Sequence, residues 1–235
     1  MTQAKILIIA TSASQMDDGD QTGVWLEELT TPYYAFLDSG AEVTLASIKG
    51  GEIPVDQRSM APEGENDASV ERYLKDTAAQ LAVRNTVRID DIDGLGMDFD
   101  AVFLPGGHGT MFDYPTNKTL ASMIEAFDRA GKVVAAVCHG PAGLVLAKNE
   151  DGTPFVKGRT VAGFTDSEEH AVGLQDAVPF LLETRLRELG ANYQSAPDFE
   201  PFAVQDGTLV TGQNPASATK TADLVMAAIK SKAAA

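Results

Sequence analysis

The chain has 235 residues, of which 44% are hydrophobic, and a formal net charge of −16; this size suits one α/β domain with a sizeable core. Such acidity works against counterion release on nucleic acid and against attraction to anionic lipid, so no nucleic acid or membrane partner is expected. No apolar run approaches a membrane span, the N-terminus lacks a signal-peptide pattern, and a single cysteine rules out an internal disulfide and a multi-thiolate metal site; the expectation is a cytoplasmic protein.

The first element, KILIIATS (5–12), opens as a buried strand. A helix is expected from about Pro32 to Ser39, with Pro32 as its first residue. AEVTLAS (41–47) repeats the strand pattern. Residues 49–68, KGGEIPVDQRSMAPEGENDA, are rich in Gly, Pro and charge and read as a long surface excursion, with a lid or interface loop and a plain solvated loop equally open. DAVFLPGG (100–107) is the next strand with its loop, succeeded by a helix from about Thr116 to Ala130 and the strand KVVAAVCHG (132–140). After residue 160 come the strand TVAGF and a helix from about Val178 to Leu189. PFAVQDGTLVTG (201–212) reads as a hairpin turning at Asp206-Gly207, and NPAS opens a last helix. This alternation predicts a single domain over residues 1–235: a doubly wound, flavodoxin-like, mostly parallel sheet with helices on both faces. Ligands bind such sheets at the carboxyl edge.

The only cysteine, Cys138, lies where the apolar run Val133–Val137 meets a small-residue segment starting at Pro141. Ala136 and Gly140, two residues to either side, let a tight strand-to-helix turn close, the geometry of a nucleophile elbow. A thiol there is expected to stand exposed above the sheet near a helix amino end, which favours thiolate. In PGGHG, Gly106, Gly107 and Gly109 let backbone approach a ligand, and the N–H groups of Gly107 and His139 are candidates to bind a developing oxyanion. His108 is a candidate pocket-lining residue. His170 reads as a surface residue.

TGVWLEELTTPYYAF (22–36), PGGHGTMFD (105–113), AVCHGPAGL (136–144), GFTDSEEHAVGL (163–174) and TGQNPAS (211–217), in this order, resemble the ThiJ/PfpI superfamily with its glutamine-amidotransferase-like fold. The resemblance runs nearly end to end and is strongest to the branch of glutathione-independent glyoxalases (glyoxalase III) and related stress chaperones. It implies Cys138 as nucleophile, His139 as the neighbouring acid/base, Glu169 as the group that orients His139, and an acid from the first half of the chain. Glu27 and Glu28 are the candidates for that acid, and Glu28 matches the family's spacing; with the helix starting at Pro32, periodicity does not rank them.

The implied reaction converts a small 2-oxoaldehyde such as methylglyoxal into the 2-hydroxy acid without glutathione, metal or nucleotide, and so without a cofactor. A thiolate attacks an aldehyde readily, and one protonatable group near both carbons suffices for the subsequent proton shift. Deglycation or amide and peptide hydrolysis on the same Cys-His site is the alternative within enzymology. A holding chaperone or a cysteine oxidation sensor is the alternative outside it. The resemblance also implies a homodimer.

Overall fold

The computed structural model describes the backbone of residues 3–233. Its centre is a seven-stranded sheet in the order β3-β2-β1-β4-β5-β9-β8. The strands are β1 (Lys5–Ala10), β2 (Glu42–Ser47), β3 (Val87–Arg88), β4 (Ala101–Leu104), β5 (Val133–Val137), β8 (Ala203–Asp206) and β9 (Leu209–Gly212). All neighbours pair in parallel except β8, which runs antiparallel to β9. A separate parallel pair joins β6 (Thr160–Val161) to β7 (Asn192–Tyr193). The helices are α1 (Leu26–Asp38), α2 (Ala68–Lys75), α3 (Thr77–Arg84), α4 (Thr110–Asp113), α5 (Lys118–Arg129), α6 (Asp166–Val172), α7 (Leu182–Glu188) and α8 (Ala218–Ala233).

The central strands read as continuous apolar runs because both faces are covered. Alternation divides them: Leu7, Ile9, Val102, Leu104 and Val134 pack with α5 and with Tyr114 and Phe155, while Ile6, Ile8, Phe103, Ala135 and Val137 pack with Leu29 and Phe36 of α1 and Val225 of α8. This doubly wound arrangement is the expected fold class. Among the described residues no helix is long and apolar enough to cross a membrane.

Four local expectations are corrected. Helix α1 begins at Leu26, not Pro32, and carries Pro32 in its interior. Its entry was invisible locally because Trp25 supplies no side-chain cap; the Leu26 N–H instead donates to Ser59 Oγ at 3.1 Å, a partner distant in sequence. Helix α7 is shorter than the expected 178–189, because the chain from Val178 to Leu181 turns irregularly before the helix starts at Leu182. The hairpin pairs Asp206 with Leu209, so its two-residue loop is Gly207-Thr208. The 49–68 segment is an exposed excursion only in its second half: Ile53 and Asp56 are buried, Val55 bridges Val24, and the Asp56 carboxylate is held by Thr22 Oγ1 at 3.0 Å and by Arg58.

Candidate active site

Cys138 comes directly after β5 and has φ +59, a left-handed conformation rare for a side-chain-bearing residue. The turn is tight because Gly140 passes against the Leu104 carbonyl, where a Cβ would lie 2.2 Å from the oxygen. The chain continues into a five-residue 3₁₀ turn, Gly140–Leu144, rather than a regular α-helix. So short a turn carries little dipole. Cys138 is buried rather than exposed above the sheet, because Glu28 and His139 close over it, and the expected thiolate stabilisation is outweighed: burial, and then the Glu28 carboxyl, push the thiol well above its ordinary pKa.

Glu28 reaches the thiol from the first turn of α1, and it is fully buried. Its Oε2 accepts the Gly106 N–H at 2.8 Å. Its Oε1 is buried with no hydrogen-bond partner among the described residues, and the carboxyl and the Cys138 thiol act on each other. Burial raises the Glu28 pKa well above the carboxylate range, against the lowering effects of Cys138 and Gly106. Glu27, one residue earlier, is only partly buried; its pKa is raised by burial and by Asp67. The fold thus distinguishes the two carboxylates that the chain pattern left side by side: it brings Glu28 to Cys138 and leaves Glu27 partly exposed.

His139 lies on the other side of the thiol, with Nδ1 3.3 Å from Sγ. Its Nε2 is 2.7 Å from Glu169 Oε2, and the other oxygen of the same carboxylate is 2.7 Å from His108 Nε2. Burial opposes ionisation of Glu169, but the hydrogen bonds from His108 and His139 hold its carboxyl well below the usual range. An ionised carboxylate only accepts, so both Nε2 atoms carry protons. In the neutral ring of His139, Nδ1 is then the acceptor facing the thiol, and Nδ1 of His108 is buried without a partner among the described residues. Burial and the adjacent His139 lower the His108 pKa to about 4. The two imidazole ring centroids lie 4.2 Å apart, and Phe164 packs with its centroid 4.5 Å from His139 and 6.3 Å from His108. His170 is exposed.

The glycine loop after β4 supplies backbone. Gly107 has φ +100, and a Cβ there would sit 2.4 Å from the Gly23 carbonyl oxygen. At Gly106 a Cβ would lie 2.6 Å from Glu28 Oε2 and 2.7 Å from the His139 nitrogen, so only glycine lets this strand end pass between acid and elbow. Gly107, His108, Cys138 and His139 line one cavity of about 250 Å³, with Trp25, Arg58, Phe164, Val172, Leu174, Phe199 and Pro215 completing the wall. Those additional wall residues were not legible as site residues, since they come from well-separated stretches of chain.

Glu168 is a further buried carboxylate whose signal was present. Thr165 and Glu168 have the spacing of a capping box, and they form one at the start of α6. His108, His139 and Glu169 also place one ligand atom each within 4.8 Å of one another, a donor set able to hold a divalent metal. Both Nε2 atoms already bond the carboxylate, so an ion would have to replace those two bonds.

A doubly wound sheet with a cysteine on a left-handed turn at its carboxyl edge, between a buried carboxyl and a histidine-carboxylate pair, defines a flavodoxin-like α/β protein with a Cys-His-Glu centre. The chain belongs to the DJ-1/PfpI family, whose model matches residues 21–228. It is 35% identical to glyoxalase 3 of Candida albicans over 96% of this chain and 98% of that one. It is 33% identical to the glutathione-independent glyoxalase HSP31 of Saccharomyces cerevisiae, over 98% of this chain and all of that one. The crystal structure of glyoxalase III from Candida albicans superposes with a TM-score of 0.85 at 34% identity, covering 96% of this chain and 97% of that one.

Proposed function

We propose that the protein is a glutathione-independent glyoxalase that converts a small 2-oxoaldehyde such as methylglyoxal into its 2-hydroxy acid. The observation that carries this reading is the meeting of a thiol and a buried, high-pKa carboxyl beside a small cavity, with an imidazole Nδ1 3.3 Å from the sulfur. The near-complete coverage of relatives named as glutathione-independent glyoxalases supports it.

The chemistry rests on the roles those groups can play. Cys138 sulfur attacks the aldehyde carbon, and the thiol proton passes to the aldehyde oxygen through His139 Nδ1, giving a hemithioacetal. Glu28 as carboxylate then takes the proton from the former aldehyde carbon, leaving an enediol. It returns that proton to the neighbouring carbon, and the hydroxyl proton on the former aldehyde oxygen passes through His139 to the former ketone oxygen, so that the ketone carbon is reduced to a carbinol and the aldehyde carbon is oxidised to a thioester. A base of raised pKa is suited to both halves of this shuttle. The N–H groups of Gly107 and His139 serve the oxygens whose charge develops. Water, deprotonated by His139, cleaves the thioester and returns the thiol. The sum is one water added, with no external oxidant or reductant.

The test is lactate formation from methylglyoxal by metal-free, glutathione-free protein. Activity lost in Cys138→Ser with the fold intact is expected; lactate produced at more than a few per cent of the wild-type rate by that variant removes Cys138 from the mechanism. The homodimer belongs to the same proposal and is read by sedimentation equilibrium.

A further inference from the structure

The cavity is larger and more apolar than methylglyoxal needs. At ~30 Å³ per water, about 250 Å³ holds roughly eight waters, well beyond what methylglyoxal fills. Away from the reacting groups its wall is Trp25, Phe164, Val172, Leu174, Phe199 and Pro215, with Arg58 the one cation. Arg58 offers little net charge, because its Nε and Nη2 are tied to the Asp56 carboxylate at 2.9 and 2.6 Å.

Phe199 is the unusual member of that wall. It is 48% exposed, and its φ is +61, a conformation that costs a residue with a Cβ and persists only where the surroundings enforce it. The enforcing group is Glu168. Its fully buried carboxylate accepts the Phe199 N–H at 2.7 Å, Gln213 Nε2 at 3.1 Å, Asn214 Nδ2 at 2.8 Å, and Thr165 N–H and Oγ1 at 2.9 and 3.1 Å. One carboxyl group thus ties the turn bearing Phe199 to the start of α6 and the end of β9. The Phe199 ring lies 6.4 Å from Phe164, which itself packs on His139, so an aromatic path runs from the reacting centre to the mouth. Val172, also exposed, flanks it. Apolar side chains rigidly displayed at a cavity mouth gain burial only when a ligand covers them.

We propose that this cavity is built for 2-oxoaldehydes whose ketone carbon bears a bulky apolar substituent, with Phe199 as the specificity-determining residue and Glu168 as the residue that positions it. The inference rests on the glyoxalase reading and names its substrate class. Phenylglyoxal places an aryl group where methylglyoxal has a methyl, and apolar differences of this kind translate into about 10- to 200-fold discrimination per methylene-sized step.

Two measurements test it. Initial-rate kcat/KM is expected to favour phenylglyoxal over methylglyoxal at least tenfold. Phe199→Ala lowers that ratio tenfold or more, Phe199→Leu restores part of it, and Glu168→Gln lowers it in the same direction by loosening the turn. Independently of turnover, the only tryptophan of the chain, Trp25, lines the cavity, so its fluorescence reads binding of the two products: mandelate is expected to bind at least tenfold tighter than lactate, and Phe199→Ala to erase the difference. Methylglyoxal turnover with equal or poorer use of phenylglyoxal, or equal affinity for mandelate and lactate, overturns the preference and leaves the glyoxalase reading standing. Turnover of neither aldehyde, with the mandelate preference intact, overturns the glyoxalase reading and leaves the apolar preference of the cavity standing.

Discussion

Replacing Glu169 by glutamine changes one atom and separates the two imidazoles that now share a carboxylate. In the wild type both His108 and His139 donate from Nε2 to ionised oxygens at 2.7 Å. A hydrogen bond to a charged group contributes about 1.5 to 3 kcal/mol and a neutral one about 0.5 to 1.5, so converting both to neutral bonds costs about 2 to 3 kcal/mol of stability. The larger effect is on function. The amide presents one oxygen and one NH₂, and the imidazole facing the NH₂ must accept there and move its proton to Nδ1. If that ring is His139, it can no longer take the thiol proton, and loss of general-base assistance is worth about 10² to 10⁴ in rate, or about 3 to 5 kcal/mol. Urea unfolding gives the first quantity and lactate formation from methylglyoxal the second. A Glu169→Gln protein within threefold of the wild-type rate has its amide NH₂ on His108; the same rate in Glu169→Ala, which leaves His139 Nε2 no carboxylate, would refute the claim that this carboxylate sets the His139 tautomer.

Glu28→Gln is expected to slow lactate formation by about 10² to 10⁴ while making Cys138 easier to alkylate at neutral pH, because the carboxyl that helps push the thiol up is gone; Glu27→Gln changes little, and the reverse pattern means the wrong acid was chosen. Gly107→Ala adds a Cβ 2.4 Å from the Gly23 carbonyl at a positive φ and should lose about 2 to 6 kcal/mol in urea unfolding; a loss below about 0.5 kcal/mol would show the position is not constrained. Burial and the adjacent His139 depress the His108 pKa from 6.5 to about 4, so the unfolded chain binds a proton that the folded one refuses. Its contribution, about 3 kcal/mol, is fully present above pH 6.5 and is lost as pH falls toward about 4. Urea midpoints measured across this range should decline in the wild type and decline less in His108→Asn; equal slopes would contradict the buried, neutral imidazole.

The sheet was legible because its strands are buried on both faces and write that burial as uninterrupted runs such as ILIIA and VVAAV, which no local polar residue obscures. The tight turn at Cys138 was legible for a related reason, since such a turn demands small residues nearby and the chain has Ala136 and Gly140 there. Helix α1 was misplaced because its cap comes from Ser59, and a cap borrowed across space leaves no mark on the residues before Leu26. That error alone hid the difference between Glu27 and Glu28, which becomes plain once both lie in a helical turn with one side against the sheet. The thiol's preference was misread because a short 3₁₀ turn and a facing carboxyl replace the helix amino end that the pattern implied. Phe199 and Arg58 carry no local signature at all; their roles depend on which loops meet above the carboxyl edge.

The partners that surround the thiol are far apart along the chain. Glu28 bonds Gly106, His108 and His139 both bond Glu169, and Glu168 bonds Asn214. Synthesis delivers them in that order, N-terminal part first. The Cys138 segment therefore leaves the ribosome with Glu28 and the glycine loop already available, but before the carboxylate that orients His139 and before the turn that carries Phe199. On a nascent chain the cysteine is a thiol without its aligned imidazole and without its roof. It acquires its finished surroundings only when the last strand, β9, docks beside β5 and draws Gln213 and Asn214 onto Glu168. On a nascent chain the onset of activity consequently waits for the C-terminal third, after the segments of the sheet's first parallel pairs have emerged.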